Sequence, residues 1–455
     1  MDNLQRFRPC GLIGAAAVLW LATTGCTAHR SGKVVFLGPE NGTAATEPQA
    51  QPAPQSTTPP ADIPSGPLTL QQLVITAMNR HPDLAIAQAR AEAARGQFVQ
   101  AGLYPNPTVA WSAEEMGQRP GAAGFQGPVF AQDFVTANKL AIAQAAAARD
   151  VEATDWQIIS RRFDLLTRVR TAYFDVLSAQ LAIEENEKII KLAEDSLNAA
   201  KKLQAAGGGI KPDVLRAEIE LSQSRIRLAI AQQGLTTSWK LLANTVGVAD
   251  LPARALDGKL DQPAPRYEWQ SAVNTMLQRS ADLRGAQARV EQAQARLDLA
   301  QAEVCPNVNL KLRPFYTFAE KRMELTVEAG VALPIFNRNQ GNIRTAQADL
   351  ARAGEEARLL ELQLVDRLAN AFQRYENARN QTEKYRTEIL PKARQARDAV
   401  QLGYQAGAGD TKFDYTSVLQ AQQTYVQAQL AYIQSLNDVW RAVSEIAGLL
   451  QQDDW

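Results

Sequence analysis

The sequence predicts a mainly α-helical protein with a small β part, one unit used twice, its longest pieces being antiparallel helical hairpins. Three observations predict this. The first is an internal repeat. Ala91-Glu92-Ala93 leads through Leu103-Tyr104-Pro105-Asn106-Pro107 to the alternation Val109, Trp111, Ala113, and Val290-Glu291-Gln292-Ala293 leads through Val304-Cys305-Pro306-Asn307 to Val308, Leu310, Leu312. The Pro-Asn pairs lie 201 residues apart, and Asp83-Leu84 answers Asp282-Leu283 at an offset of 199. A repeat this long implies two copies of one structural unit. The second is a stretch of 69 residues, Asn138 to Ala206, without glycine or proline; as one helix it would span roughly 100 Å at 1.5 Å per residue. The third is its apolar seam, Trp156, Ile159, Phe163, Leu166, Val169, Tyr173 and Val176, at coiled-coil spacing.

Taken in order, the chain opens with Arg6 and Arg8, an apolar stretch from Cys10 to Ala22, then Thr23-Thr24-Gly25-Cys26, which reads as a signal peptide over residues 1–25. The Gly-Cys end resembles a bacterial lipoprotein cleavage box with Cys26 as the lipidated residue, although Thr23 stands where Leu is usual. The other reading is an ordinary signal peptide in which Cys26 is incidental. Residues 26–67, rich in Pro, Ala, Thr and Gln, cannot bury a core and read as a disordered tether.

The first repeat covers residues 68–250. Thr69 caps a helix that breaks at His81-Pro82, resumes at Asp83 and stops before Pro105. Strand-like runs follow at Thr108–Ala113 and about Val129–Val135. The long helix then ends at Gly207-Gly208-Gly209, and Pro212-Asp213 opens a return helix to about Val246. Residues 251–268 read as a linker. The second repeat, 269–450, gives a helix over Trp269–Val304, strands over Val308–Phe318 and Glu324–Pro334, and a long helix over Asn342–Leu402 with Pro391 as a kink. The turn Gly407-Ala408-Gly409-Asp410 and a return helix from about Tyr415 to Leu450 complete it, leaving 451–455 as a tail.

Composition narrows the function. Lys+Arg and Asp+Glu both number 48, so the formal net charge is zero, which argues against nucleic acid as a partner. No apolar run reaches the roughly 18–20 residues of a membrane-spanning helix. Any crossing must use strands, and four strands leave open edges that lipid does not tolerate. An oligomer must therefore close them. Only Cys305 lies in the body, so no disulfide framework or cysteine metal cluster forms within it.

On Leu103-Tyr104-Pro105-Asn106-Pro107-Thr108, on Leu333-Pro334-Ile335-Phe336-Asn337-Arg338-Asn339-Gln340-Gly341-Asn342, and on Tyr404-Gln405-Ala406-Gly407 leading to Val418-Leu419-Gln420-Ala421-Gln422, the chain resembles the TolC family of outer-membrane efflux factors, above all its CzcC-type, heavy-metal branch. The resemblance covers roughly residues 68–450. It implies a homotrimer whose twelve strands close one β-barrel in the outer membrane of a Gram-negative-type bacterium. The helices would form an α-barrel tunnel through the periplasm. The tips, with Gly207, Gly208, Gly209, Gly407 and Gly409, would dock a periplasmic adaptor joined to an inner-membrane RND-type pump. Two aspartates that ring the closed mouth of the best known member match Ser417 and Gln420, so those acids are missing here. Asp410 and Asp414, with Asp213 on the other tip, are candidate replacements; the alternative is that Asp410 and Asp414 are turn and cap residues.

The sequence points to no catalytic site, cofactor or metal. His29 and His81 lack ligand-spaced neighbours, so a loop-capping role suits His81 better. Gly407-Ala408-Gly409-Asp410-Thr411-Lys412 lacks the phosphate-loop spacing, and no Gly-x-Ser-x-Gly elbow occurs. Glu184 and Glu185 read as a solvated face. The expectation is thus a passive exit channel for heavy-metal cations or small toxic compounds. Two alternatives are the duct of an ABC-type protein secretion system and a pore-free coiled-coil lipoprotein spacer, the latter having no use for four strands.

Overall fold

The computed structural model describes residues 66–117, 123–405 and 414–453. Helix α1 (Leu70–Arg80) starts at a capping box: Thr69 Oγ1 accepts from the Gln72 N–H at 3.3 Å, and Gln72 Oε1 accepts from the Thr69 N–H at 3.1 Å. His81 ends α1 and caps α2 (Pro82–Ala101), its Nδ1 accepting from the Asp83 N–H at 3.2 Å. The second copy is also broken, into α5 (Trp269–Arg279) and α6 (Ala281–Ala302), where one helix over Trp269–Val304 was expected. Ser280, 199 residues beyond His81, takes over its role: its Oγ accepts from the Leu283 N–H at 3.3 Å. No proline marks the break; the serine cap makes it.

Four strands, β1 (Thr108–Glu114), β2 (Phe125–Phe134), β3 (Val308–Thr317) and β4 (Arg322–Val331), form one antiparallel sheet in sequence order. The β2–β3 pairing joins the two copies. Strand β2 begins four residues before the expected Val129, because Gly127-Pro128 imitates a turn. The β2–β3 ladder skips from Gln126↔Tyr316 to Phe130↔Leu312, where Pro128 and Pro314 meet without an N–H to share. At both sheet-to-helix corners an asparagine adopts the left-handed region, Asn138 at φ 56° and Asn339 at φ 57°, 201 residues apart.

Helix α3 (Lys139–Ala205) runs 67 residues without interruption and returns as α4 (Lys211–Val246). Its counterpart is divided: α7 (Gln340–Lys384), a π-helical turn at Tyr385–Ile389, α8 (Leu390–Gln405), then the return helix α9 (Tyr415–Leu449). Pro391 has no N–H, and the wider turn before it, with the Leu390 N–H reaching Tyr385 O, is how the helix absorbs that loss.

The helices lie side by side in one layer, α2–α3–α6–α7 near the sheet and α4–α3–α9–α8 toward the hairpin tips. Of the predicted seam, Phe163, Leu166, Val169, Tyr173 and Val176 are buried, whereas Ile159 is 36% exposed. Phe174 stacks on Trp440 at 4.6 Å where α3 meets α9. Residues 251–268 form a strap. Its carbonyls at Leu251, Asp257, Leu260 and Pro265 accept from Trp239, Tyr173, Trp440 and Tyr375, three of these bonds measuring 2.8–2.9 Å. Leu68 adds a short parallel bridge beside Leu256. Buried Arg170 holds the carbonyls of Gln452 and Asp453. Among the described residues, no helix is long and apolar enough to cross a membrane.

Candidate conduit and hairpin tips

The sheet separates two chemistries by strand alternation alone. One face carries Val109, Trp111, Phe130, Phe134, Leu312, Met323, Leu325, Val327 and Val331, all exposed in the single chain. The opposite face carries Glu114, Asp133, Asn309, Lys311, Arg313 and Glu328, which pair across strands, and Glu324, which pairs with Arg322 of its own strand. Arg313 meets Glu114 at 2.5 Å, Asn309 donates to Asp133 at 2.6 Å, and Lys311 meets Glu328 at 3.3 Å. Aromatic residues mark both ends of the apolar face, Tyr316 and Phe318 at the loop end, Tyr104 and Phe134 at the helix end. An apolar outside, a polar inside and aromatic rims are what a strand needs when lipid lies on one side and water on the other. The outer strands β1 and β4 have unpaired edges.

The helical layer is open in the same way. Helix α4 exposes Leu215, Ile219, Ile226, Ile230 and Leu241, whose spacings keep them on one stripe, and α7 exposes Leu359 and Leu362. Midway, where α6 begins and α9 ends, a groove of about 750 Å³ is lined by Asp83, Asp164, Arg168, Asp282, Arg374 and Glu445. Its charges are paired: Arg168 with Asp83 at 2.5 Å, Arg374 with Glu445 at 2.6 Å, and Ser160 donates to Asp282 at 2.6 Å. Burial, with Asp282 adding repulsion, pushes the Asp164 carboxyl up. Among the described residues, no three His, Cys, Asp or Glu side chains converge as metal ligands. Glu185 was read as solvated and is instead buried, held by Lys188 at 2.7 Å.

At the tips the two hairpins meet. Ala193, Leu197, Ala200, Val214, Ala217 and Leu221 of α3 and α4 pack on Tyr415 and Val418 of α9. Gly207 lies at φ +78°, a conformation that other side chains resist. A Cβ on Gly209 would come within 2.8 Å of the Gln204 nitrogen. Asp213, in the first turn of α4, stands 3.5 Å from Arg216, which also donates to Thr416 Oγ1 of the second hairpin at 3.3 Å. Burial raises the Asp213 carboxyl and Asp414 raises it further, against the pull of Arg216. Asp414 caps α9, accepting from the Ser417 N–H at 2.9 Å and its hydroxyl at 2.7 Å, which holds its carboxyl below the usual carboxylate range. Tyr404 and Tyr415 pack at 5.5 Å beside them, their hydroxyls buried. Tyr404 belongs to the Tyr404-Gln405-Ala406-Gly407 motif, but nothing in the sequence spacing places either ring or Arg216 at this junction. Cys26, Gly407, Gly409 and Asp410 lie outside the described residues.

Five residues (206–210) join α3 to α4 and nine (406–414) join α8 to α9, so the second connection is the longer by four.

The outer membrane efflux protein family matches the chain in two stretches, residues 73–248 and 272–451. The chain is 26% identical over 392 residues to the cobalt-zinc-cadmium resistance protein CzcC of Cupriavidus metallidurans, covering 85% of this chain and 90% of that protein. It is 26% identical over 403 residues to the pyoverdine export outer membrane protein OpmQ of Pseudomonas aeruginosa, covering 80% of this chain and 81% of that one. Its fold is similar to that of the outer-membrane channel OprN, with a TM-score of 0.71 at 21% identity over 84% of this chain and 89% of that chain.

Proposed function

This chain belongs to the outer membrane efflux protein family, and from that premise we propose that it is the passive exit channel of a tripartite efflux system. Three copies close the sheets into one barrel in the outer membrane and the helical layers into a tunnel below it. A periplasmic adaptor grips the tips around Gly207–Gly209 and Gly407–Gly409, and an RND-type pump in the inner membrane supplies the energy. Cys26 carries the lipid anchor. Asp213, Asp410 and Asp414 ring the periplasmic mouth, and the cargo is heavy-metal cations or small toxic compounds.

One observation carries this reading: the polar, charge-paired face of the sheet lies back to back with an apolar face, while both edges remain unpaired. A single chain cannot satisfy those edges in lipid, and copies of itself arranged around an axis can. The metal cargo rests on the similarity to CzcC.

The test is deletion of the gene followed by challenge with divalent metals and with hydrophobic drugs. Loss of metal tolerance, restored by the full chain, is the expected result. Unchanged metal tolerance with lost drug tolerance would assign the cargo to small toxic compounds and overturn the metal reading; no change in either would sink the efflux role.

A further inference from the structure

Two phenylalanines stand on the polar face of the sheet, on the same side as Val129. Phe125 opens β2 opposite Glu114, and Phe315 lies near the end of β3 opposite Glu324, so both share the face of Lys311, Arg313 and Glu328. They touch edge to face, centroids 5.6 Å apart at 79°. Gly127 stands opposite Phe315, and a Cβ there would fall 2.7 Å from the Phe315 Cα and 2.1 Å from the Pro314 oxygen, so only glycine lets the strands close beneath the ring pair. The Arg313 guanidinium lies 5.6 Å from the Phe315 centroid and is neutralised by Glu114. Both rings sit at the loop end of the strands, farthest from the helices.

We propose that Phe125 and Phe315 form an aromatic collar at the outer end of the lumen, the constriction that selects for solutes with an aromatic or lipophilic part. This rests on the exit-channel reading, which places the polar face inside a barrel of three copies. Six rings at one level narrow the water path and offer no hydrogen bonds to hydrated ions. Their faces and edges take up flat apolar groups. The paired Arg313 and Glu114 leave the level without net charge, so the flat ring faces and edges decide.

A structural role also accounts for a ring covering a strand glycine, and that role predicts lower stability without altered passage. Recording currents of the full-length protein in planar bilayers separates the two. The probe is tetraphenylphosphonium, with tetramethylammonium as the small control. In the Phe125→Ser/Phe315→Ser variant, potassium chloride conductance should rise. Block by tetraphenylphosphonium should weaken about tenfold, equivalent to about 1.4 kcal/mol of lost aromatic contact. Block by tetramethylammonium should not move. Phe125→Leu/Phe315→Leu keeps the apolar packing and settles the matter where the serine variant fails to insert: it should also lose the large-cation block. Wild-type conductance and block in the leucine variant overturn the collar while leaving the channel intact. A wild-type protein that inserts and carries no current overturns the channel reading, and the collar with it.

Discussion

The two hairpins are nearly equal in length yet differ in how they are held. Helix α3 is one piece, lies between α2 and α6 above and between α4 and α9 below, and turns through five residues. Its counterpart α7–α8 runs along the border of the layer, carries a π turn before Pro391 and turns through nine. Equal descent from one repeated unit has thus produced a central spine and a jointed border. What separates them is the number of neighbours: a helix packed on both sides cannot bend without breaking two interfaces, whereas a border helix bends at the cost of one.

The largest test of that contrast is Phe174→Ala. Emptying the stack on Trp440 should cost about 3–5 kcal/mol, read as a lower denaturation midpoint of the purified protein. Phe372→Ala, on α7, should cost less; equal losses would erase the distinction between spine and border. Next is proline itself. Lys191→Pro puts a proline in α3 at the place of Pro391, 200 residues earlier, and should cost about 3 kcal/mol in the same melt. Pro391→Ala should change stability little or raise it, because it returns a missing N–H. A spine that tolerated proline as well as the border would break the comparison.

A smaller effect is expected from the caps. Asp414→Ala should remove about 1 kcal/mol from the start of α9 and speed amide exchange at Ser417, while Asp414→Asn should keep most of the cap. The smallest effect is the pH response, and the two tips should answer with opposite sign. The Asp414 carboxyl is held below its ordinary 3.8 by Ser417, so its contribution is complete above that value and is lost as the pH falls through the lower folded one. The Asp213 carboxyl is raised by burial, so the folded tip binds its proton more tightly and gains stability as the pH falls from neutral through that raised value. Amide exchange at Val214 should therefore slow on mild acidification, and Asp213→Asn should abolish that response. Identical pH profiles at Val214 and Val418 would defeat the assignment.

How much of this was legible in the sequence follows the range of the interactions involved. The helix break at His81 was visible because proline follows it; the same break at Ser280 was hidden, since a serine cap in an alanine-rich helix leaves no period change. Strand β4 showed its two faces openly from Leu325 to Val331, though it begins at Arg322, before the expected Glu324, and ends at Val331, before the expected Pro334. Strand β2 hid its first residues behind Gly127-Pro128, and with them the position of Phe125. At the tips, Asp213 and Asp414 could be named from their place after a glycine turn. The contacts around them could not: Arg216 reaches Thr416 across 200 positions, and the Tyr404–Tyr415 ring pair depends on how α8 and α9 are laid side by side. Residues 251–268 looked like a linker by composition. It is the side chains of Tyr173, Trp239, Tyr375 and Trp440, each far away in sequence, that fasten it.

The unpaired edges of β1 and β4 also constrain how the molecule comes into being. A lone chain in water shows a greasy face and two rows of free backbone donors and acceptors, the features by which strands recruit one another indiscriminately. Its helical layer has no such urgency, since α3 already holds its neighbours. Biogenesis should therefore run from the helices outward: the helical portion settles early, the strands stay shielded by a holding factor, and barrel closure is the last, concentration-dependent and effectively irreversible event.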